Sequence, residues 1–239
     1  MTTKIRLLTF TLFVIHSCFA ISMTNSLEQK LIEAINDYSI FKNLAKKPEN
    51  DHAPQKMLEC YNSIIELLEQ GANPNTSWHD HTTPLIFTLE NELPQITSAL
   101  LKYNANVNFA DSQGDTPLIR SLKRCKEKNA CFLIAHSADV NTKGNGGKTA
   151  LMVAVAVMFS GTEDLLLKHN ADLDIQDDEG NTALIHLVKI NYDIPQRDNG
   201  YKRIKILDYY PNCALKNNNG QTALDIARKN NNAGLIEQL

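Results

Sequence analysis

Chemistry in this sequence is most concentrated at Trp78-His79-Asp80-His81, where two imidazoles stand on alternate residues. Alternate side chains of an extended segment point the same way, so His79 and His81 would converge on a metal ion if a third ligand were near. The sequence shows no third ligand, and a turn tip is open to water. A metal-dependent enzyme at this tip is therefore the weakest of three functional readings. Asp177-Asp178-Glu179-Gly180 gathers acids before a glycine, but its spacing misses the calcium-loop pattern, and acidic turns are usually only solvated. His136, His169 and His186 fall on separate helical stretches with no nucleophile arranged beside them. G-x-S-x-G, H-E-x-x-H and P-loop sequences do not occur. The expectation is a non-enzyme without catalytic, cofactor or metal residues. What remains is recognition chemistry. Arg120 and Arg124 are four apart and share a helix face, so their guanidinium groups would clamp a partner's carboxylate. The alternative is a solvated face beside Lys123 and Lys126.

The elements that hold these groups belong to an ordinary folded chain. It has 239 residues, 43% hydrophobic and 21% charged, which suits one extended domain or two small ones and argues against disorder. Lys+Arg number 24 against 27 Asp+Glu, so no basic surplus draws the chain to a phosphate backbone. With one tryptophan it has little to stack single-stranded bases on. Nucleic acid is not an expected partner.

Residues 1–20 read differently. Lys4 and Arg6 precede an apolar run, Leu7 to Ile15, and Ser17, Cys18 and Ala20 provide small residues near a cut. This is the layout of a secretory signal cleaved after Ala20. An uncleaved anchor is the alternative, although the run falls short of the roughly 20 apolar residues of a spanning helix. Without this segment 22 basic residues face 27 acidic ones. The expected location is secreted or periplasmic, with no membrane span after cleavage. Cys60, Cys125, Cys131 and Cys213 would then meet an oxidising compartment. Cys125 and Cys131 are the best pair by sequence proximity, and buried free thiols are the equal alternative.

A period of 33 residues runs through the rest. Thr-Pro/Ala-Leu recurs at Thr83, Thr116, Thr149, Thr182 and Thr222, at steps of 33 except for a last step of 40. Gly71-Ala72, Asn104-Ala105, Ser137-Ala138 and Asn170-Ala171 keep the same phase. Threonine before proline suits a helix N-cap with proline at the first helical position. About seventeen residues on comes an apolar pair, such as Leu100-Leu101 or Leu133-Ile134, for the buried face of a second helix. Gly71, Asn104 and Asn170 tolerate the left-handed backbone that ends such a helix. Gly114, Gly147, Gly180 and Gly220 stand two residues before each threonine, where a turn needs positive φ.

Together these markers resemble the ankyrin repeat, over roughly residues 26 to 239. The family's histidine after T-P-L is Ile86, Ile119, Met152, Ile185 or Asp225 here. The resemblance implies an all-α repeat solenoid of helix-turn-helix units with β-turn fingers. Six units are expected, at about 26–75, 76–108, 109–141, 142–174, 175–214 and 215–239. The first has helices from Leu27 to Ile35 and from Met57 to Gln70. The fifth carries seven extra residues around Tyr192 to Tyr201. The resemblance also implies protein binding through the concave helix face and the finger tips by a monomer. Phe87, Arg120 and His186 share one helix phase, and Arg124 lies four residues further along. Trp78 and Asp80 belong to the most unusual tip, and Asp115, Lys148 and Asn181 immediately precede the threonines. These nine residues are the expected contacts of a protein partner. The leading reading is an exported, bacterial effector-like binding module. The second is a periplasmic accessory protein supporting an enzyme.

Overall fold

Residues 26–47, 50–76, 82–157, 160–192, 206–209, 211–231, 236–237 and 239 are described by a computed structural model of the chain. Ten α-helices are present among them: α1 Leu27–Leu44, α2 Ala53–Glu69, α3 Pro84–Glu90, α4 Pro94–Lys102, α5 Pro117–Lys123, α6 Glu127–Ala135, α7 Ala150–Val157, α8 Ser160–Lys168, α9 Ala183–Tyr192 and α10 Ala223–Lys229. The described residues contain no strand.

Each first helix starts as the threonine pattern predicts. Thr83, Thr116, Thr149, Thr182 and Thr222 accept, through Oγ1, the N–H three residues on, at 3.1 to 3.5 Å. This satisfies one of the donors that a helix start leaves open. Ile86, Ile119, Met152 and Ile185, in the place of the family's histidine, are buried. At the last start Asp225 closes a capping box by accepting from Thr222 N–H at 2.9 Å.

Antiparallel hairpins form from α1–α2, α3–α4, α5–α6 and α7–α8. First helices stack in the order α1, α3, α5, α7, α9, α10, while α2 packs on α4 and α6 on α8. Leu31, Ile64, Leu85, Leu100, Leu118, Leu133, Leu151 and Leu166 run through one continuous core. Ala72, Ala105, Ala138 and Ala171 are buried where each second helix turns out. Their N–H groups reach back to Leu67, Leu100, Leu133 and Leu166 carbonyls at 2.9 to 3.0 Å. The preceding residues, Gly71, Asn104, Ser137 and Asn170, have φ of 92°, 65°, 63° and 61°. That is the expected left-handed cap, with Ser137 adopting it as well.

The first hairpin departs from expectation. Its first helix runs on to Leu44 instead of ending at Ile35, because Tyr38 and Ser39 continue the buried stripe and no breaker intervenes. The added turns bring Lys42 Nζ to the carbonyls of Asn91 (3.1 Å) and Glu92 at the end of α3. A lysine there complements the negative helix terminus. Segment 1–20, the tip residues Trp78, His79, Asp80 and His81, most of the expected insertion and Tyr210 lie outside the described residues.

Candidate functional site

The described turns before α5, α7, α9 and α10 share one hydrogen-bond pattern. In 111–115, 144–148, 177–181 and 217–221 the first N–H donates to the fifth carbonyl and the fourth N–H donates to the first carbonyl, at 2.8 to 3.0 Å. Gly114, Gly147, Gly180 and Gly220 occupy the fourth place with φ between 69° and 83°. Asp111, Asp177 and Asn217 fix their own turns from the first place by accepting two backbone N–H groups through Oδ1. Adjacent tips then join: Asp178 N–H donates to Gly146 O at 3.1 Å and Asn218 N–H to Glu179 O at 2.9 Å.

The concave face lies between this edge and the stacked first helices. Arg120 and Arg124 do clamp a carboxylate, but it is Glu90 of the preceding hairpin. Their Nε atoms lie 2.6 and 3.0 Å from Glu90 Oε1, and Arg120 Nη1 lies 2.9 Å from Asp111 Oδ2. Arg120 is consequently 19% exposed and Arg124 55%. Burial disfavours the charge on Arg120, yet the hydrogen bonds to Glu90 and Asp111 outweigh it and raise its pKa.

Asp115 is buried rather than projecting. It takes Lys123 Nζ at 2.7 and 2.9 Å and the Asn145 N–H of the next turn at 3.0 Å. Asn181 is also buried, donating to Glu179 and accepting from Lys189 at 2.9 Å each. His186 Nε2 lies 2.7 Å from Asp177 Oδ2, the same helix-to-turn link that Arg120 makes to Asp111. Burial lowers the His186 pKa below its ordinary value against the pull of Asp177, with Lys148 and Lys189 adding repulsion. Burial pushes Asp177 up, but hydrogen bonds from Asn181 and His186 leave it below the ordinary aspartate value. Phe87 is half-buried against the core. Lys148 is exposed. Trp78 and Asp80 lie outside the described residues.

Glu90, Asp111 and Asp177 are the acids that hold this face. A signal for them was present, since Asp111 and Asp177 occupy one phase of the period.

A second row of polar groups ties consecutive hairpins together. Asn75, Asn108, Asn141 and Asp174 are spaced by 33 and accept the N–H of Asn106, Asp139, Asp172 and Asn212 in the next hairpin at 2.5 to 2.9 Å. Each of these donors also caps its own turn, its Oδ1 accepting the N–H two residues on. The sequence marks this row by an A-N/D-x-N/D pattern at Ala72, Ala105, Ala138 and Ala171.

Among the described residues no group of three or more His, Cys, Asp or Glu could hold a metal ion. Cys60, Cys125, Cys131 and Cys213 are free thiols, of which Cys125 is exposed. No described helix is long and apolar enough to cross a membrane.

The family model for ankyrin repeats (three copies) matches residues 53–144, and that for a single ankyrin repeat matches residues 146–178. Between them they cover just over half of the chain. The crystal structure of EF0377, an ankyrin repeat protein, is similar with a TM-score of 0.67 over 90% of this chain and 98% of that one. At 22% identity that similarity speaks to fold alone. Comparison with curated proteins gives no match.

Proposed function

Because this chain belongs to the ankyrin repeat family, whose members generally mediate protein–protein interaction, we propose that it is an exported, non-enzymatic module gripping a partner protein through its concave helix face and finger tips. One observation carries the reading. Positions that packing dictates are filled alike, as with Leu85, Leu118, Leu151 and Leu184. The concave phase instead holds Phe87, Arg120, Val153 and His186, four different chemistries on one repeated backbone. A stack sets such a row along one extended face suited to another chain, where Phe87, Arg120 and His186 are partly exposed and Val153 is buried beneath.

Of the expected contacts, Arg124 and Lys148 are the exposed cations, and Trp78 with Asp80 would add further contacts. Phe87 would offer its half-buried ring. Arg120, Asp115, Asn181 and His186 would act mainly by holding the surface in shape. Export rests on the pattern of Met1 to Ala20, and N-terminal sequencing of secreted material is expected to begin at Ile21. A start at Met1 would reject the cleaved signal. Capture on the mature chain with mass spectrometry should recover a protein that Arg124→Ala and Trp78→Ala release while the melting temperature holds. Recovery unchanged in both variants would remove this surface from consideration. Partner or protein found in the periplasm, rather than in medium or host, would favour the accessory reading over the effector-like one.

A further inference from the structure

Two polar devices repeat on either side of the α7–α8 hairpin. In α5 and its turn, Arg120 holds Asp111 and Lys123 holds Asp115. In α9 and its turn, His186 holds Asp177 and Lys189 holds Asn181. The matching four positions between them are Gly144, Lys148, Val153 and Ala156. Each hydrogen-bonding partner is gone, and Lys148 stands where an acceptor stands on both sides. Val157 follows where Arg124 stands one hairpin earlier. The concave face is thus interrupted by an apolar interval one hairpin wide, with Ala156 exposed and Val157 half-buried.

The charges around this interval are layered. Lys123, Arg124 and Lys189 side chains are 35%, 55% and 40% exposed, against 4%, 4% and 1% for Asp111, Asp115 and Asp177. The acids lie under the cations, so ammonium and guanidinium groups meet an arriving partner first. Asp178, beside Gly147, and Glu179, 3.7 Å from Lys189, are exposed acids on the side toward the tips. Lys148 comes close enough to oppose protonation of His186, which places its charge at the same border.

Resting on the binding reading above, we propose that the α7 interval seats an apolar side chain of a partner segment whose flanking carboxylates meet Lys123, Arg124, Lys148 and Lys189. The partner is an acidic stretch of protein with an apolar anchor. Charge complementarity of this kind sets partner choice and association rate more than raw affinity, so modest affinity that falls with salt is expected.

The test uses the full chain and labelled short peptides with a central leucine flanked by glutamates, by lysines or by serines, together with phosphatidylserine vesicles. The glutamate peptide should bind best, weaken as salt rises, and lose roughly threefold to fivefold in affinity with Lys148→Glu. Ala156→Glu, on an exposed helix position, should abolish its binding while circular dichroism and the melting temperature stay unchanged. Serine or lysine peptides binding more tightly, yet released by Ala156→Glu, would overturn the acidic partner and keep the concave site. Glutamate peptide binding that ignores both substitutions would overturn the concave site itself. Vesicles bound through Lys148 in preference to every peptide would replace the protein partner with an anionic membrane.

Discussion

At Gly144 the lack of a side chain is enforced from the neighbouring turn. A Cβ there would lie 2.6 Å from Asp115 Oδ1 and 2.8 Å from Ile119 Cδ1. Gly114, by contrast, has open space around it and needs only its φ of 83°. Gly144→Ala should therefore cost about 1 to 3 kcal/mol through overpacking, and Gly114→Ala about 1 to 2 kcal/mol through backbone strain alone. Urea melts of the two variants check both, and relaxing the crowd with Asp115→Ala should shrink only the first cost. His186 gives a second outcome. Its folded pKa is lowered, so as pH falls below about 6.5 the unfolded chain takes up the proton first and stability drops. Asp177, also lowered, adds stability above the ordinary aspartate range and loses it on further acidification, which is the same sign. The urea midpoint should fall from about pH 7 to pH 5.5, and His186→Gln, which keeps a donor for Asp177, should flatten that slope. The residue types of this face were legible in the sequence, but their pairings were not. Arg120 reaches Glu90 across 30 positions, a contact that no local pattern encodes.

Helix starts, left-handed caps and turn glycines were legible because each is set by local chemistry within a few residues of the threonine. The bends between paired helices were not. Glu92, Cys125 and Asn231 hold φ of 56°, 56° and 51° nine residues after their threonines, where no glycine flags a turn. Cys125→Gly should relieve this strain and raise stability by about 0.5 to 1 kcal/mol in chemical denaturation. A drop under oxidising conditions would instead reveal a bond between Cys125 and Cys131. The cross-hairpin ladder makes a further prediction for whole elements. Asn141 accepts from Asp172 N–H at 2.7 Å and donates to Asn170 O at 3.1 Å, tying α6 to the end of α8. Asn141→Ala should cost about 1 to 2 kcal/mol, given the usual net value of two such bonds. The same change at exposed Asn219, which caps only through its own N–H, should be nearly silent. The extra length of α1 was hidden because its stripe continues through tyrosine and serine, residues that are apolar only in part.

Across the whole stack, stability comes from hairpins and their shared faces in sequence order. Hydrogen exchange should be slowest in α5 and α7, at the middle of the row of first helices, and fastest toward α10. Leu118→Ala, at a fully buried position, should cost roughly 2 to 5 kcal/mol and speed exchange on both sides of α5. The overall architecture was legible because a single spacing repeats, so one hairpin foretells the next. What a repeat cannot foretell is how neighbours differ, and function is written in those differences.

Asp115 also has a bearing on ancestry and engineering. It takes the Asn145 N–H across the boundary, while Gly144 has no side chain with which to fix its own loop. The fourth module is therefore a borrower, whose geometry is complete only behind a donor bearing a short acid at that place. Shuffled or consensus arrays that transplant it alone should melt locally, whereas segments 109–141 and 142–174 moved as a couple should travel intact.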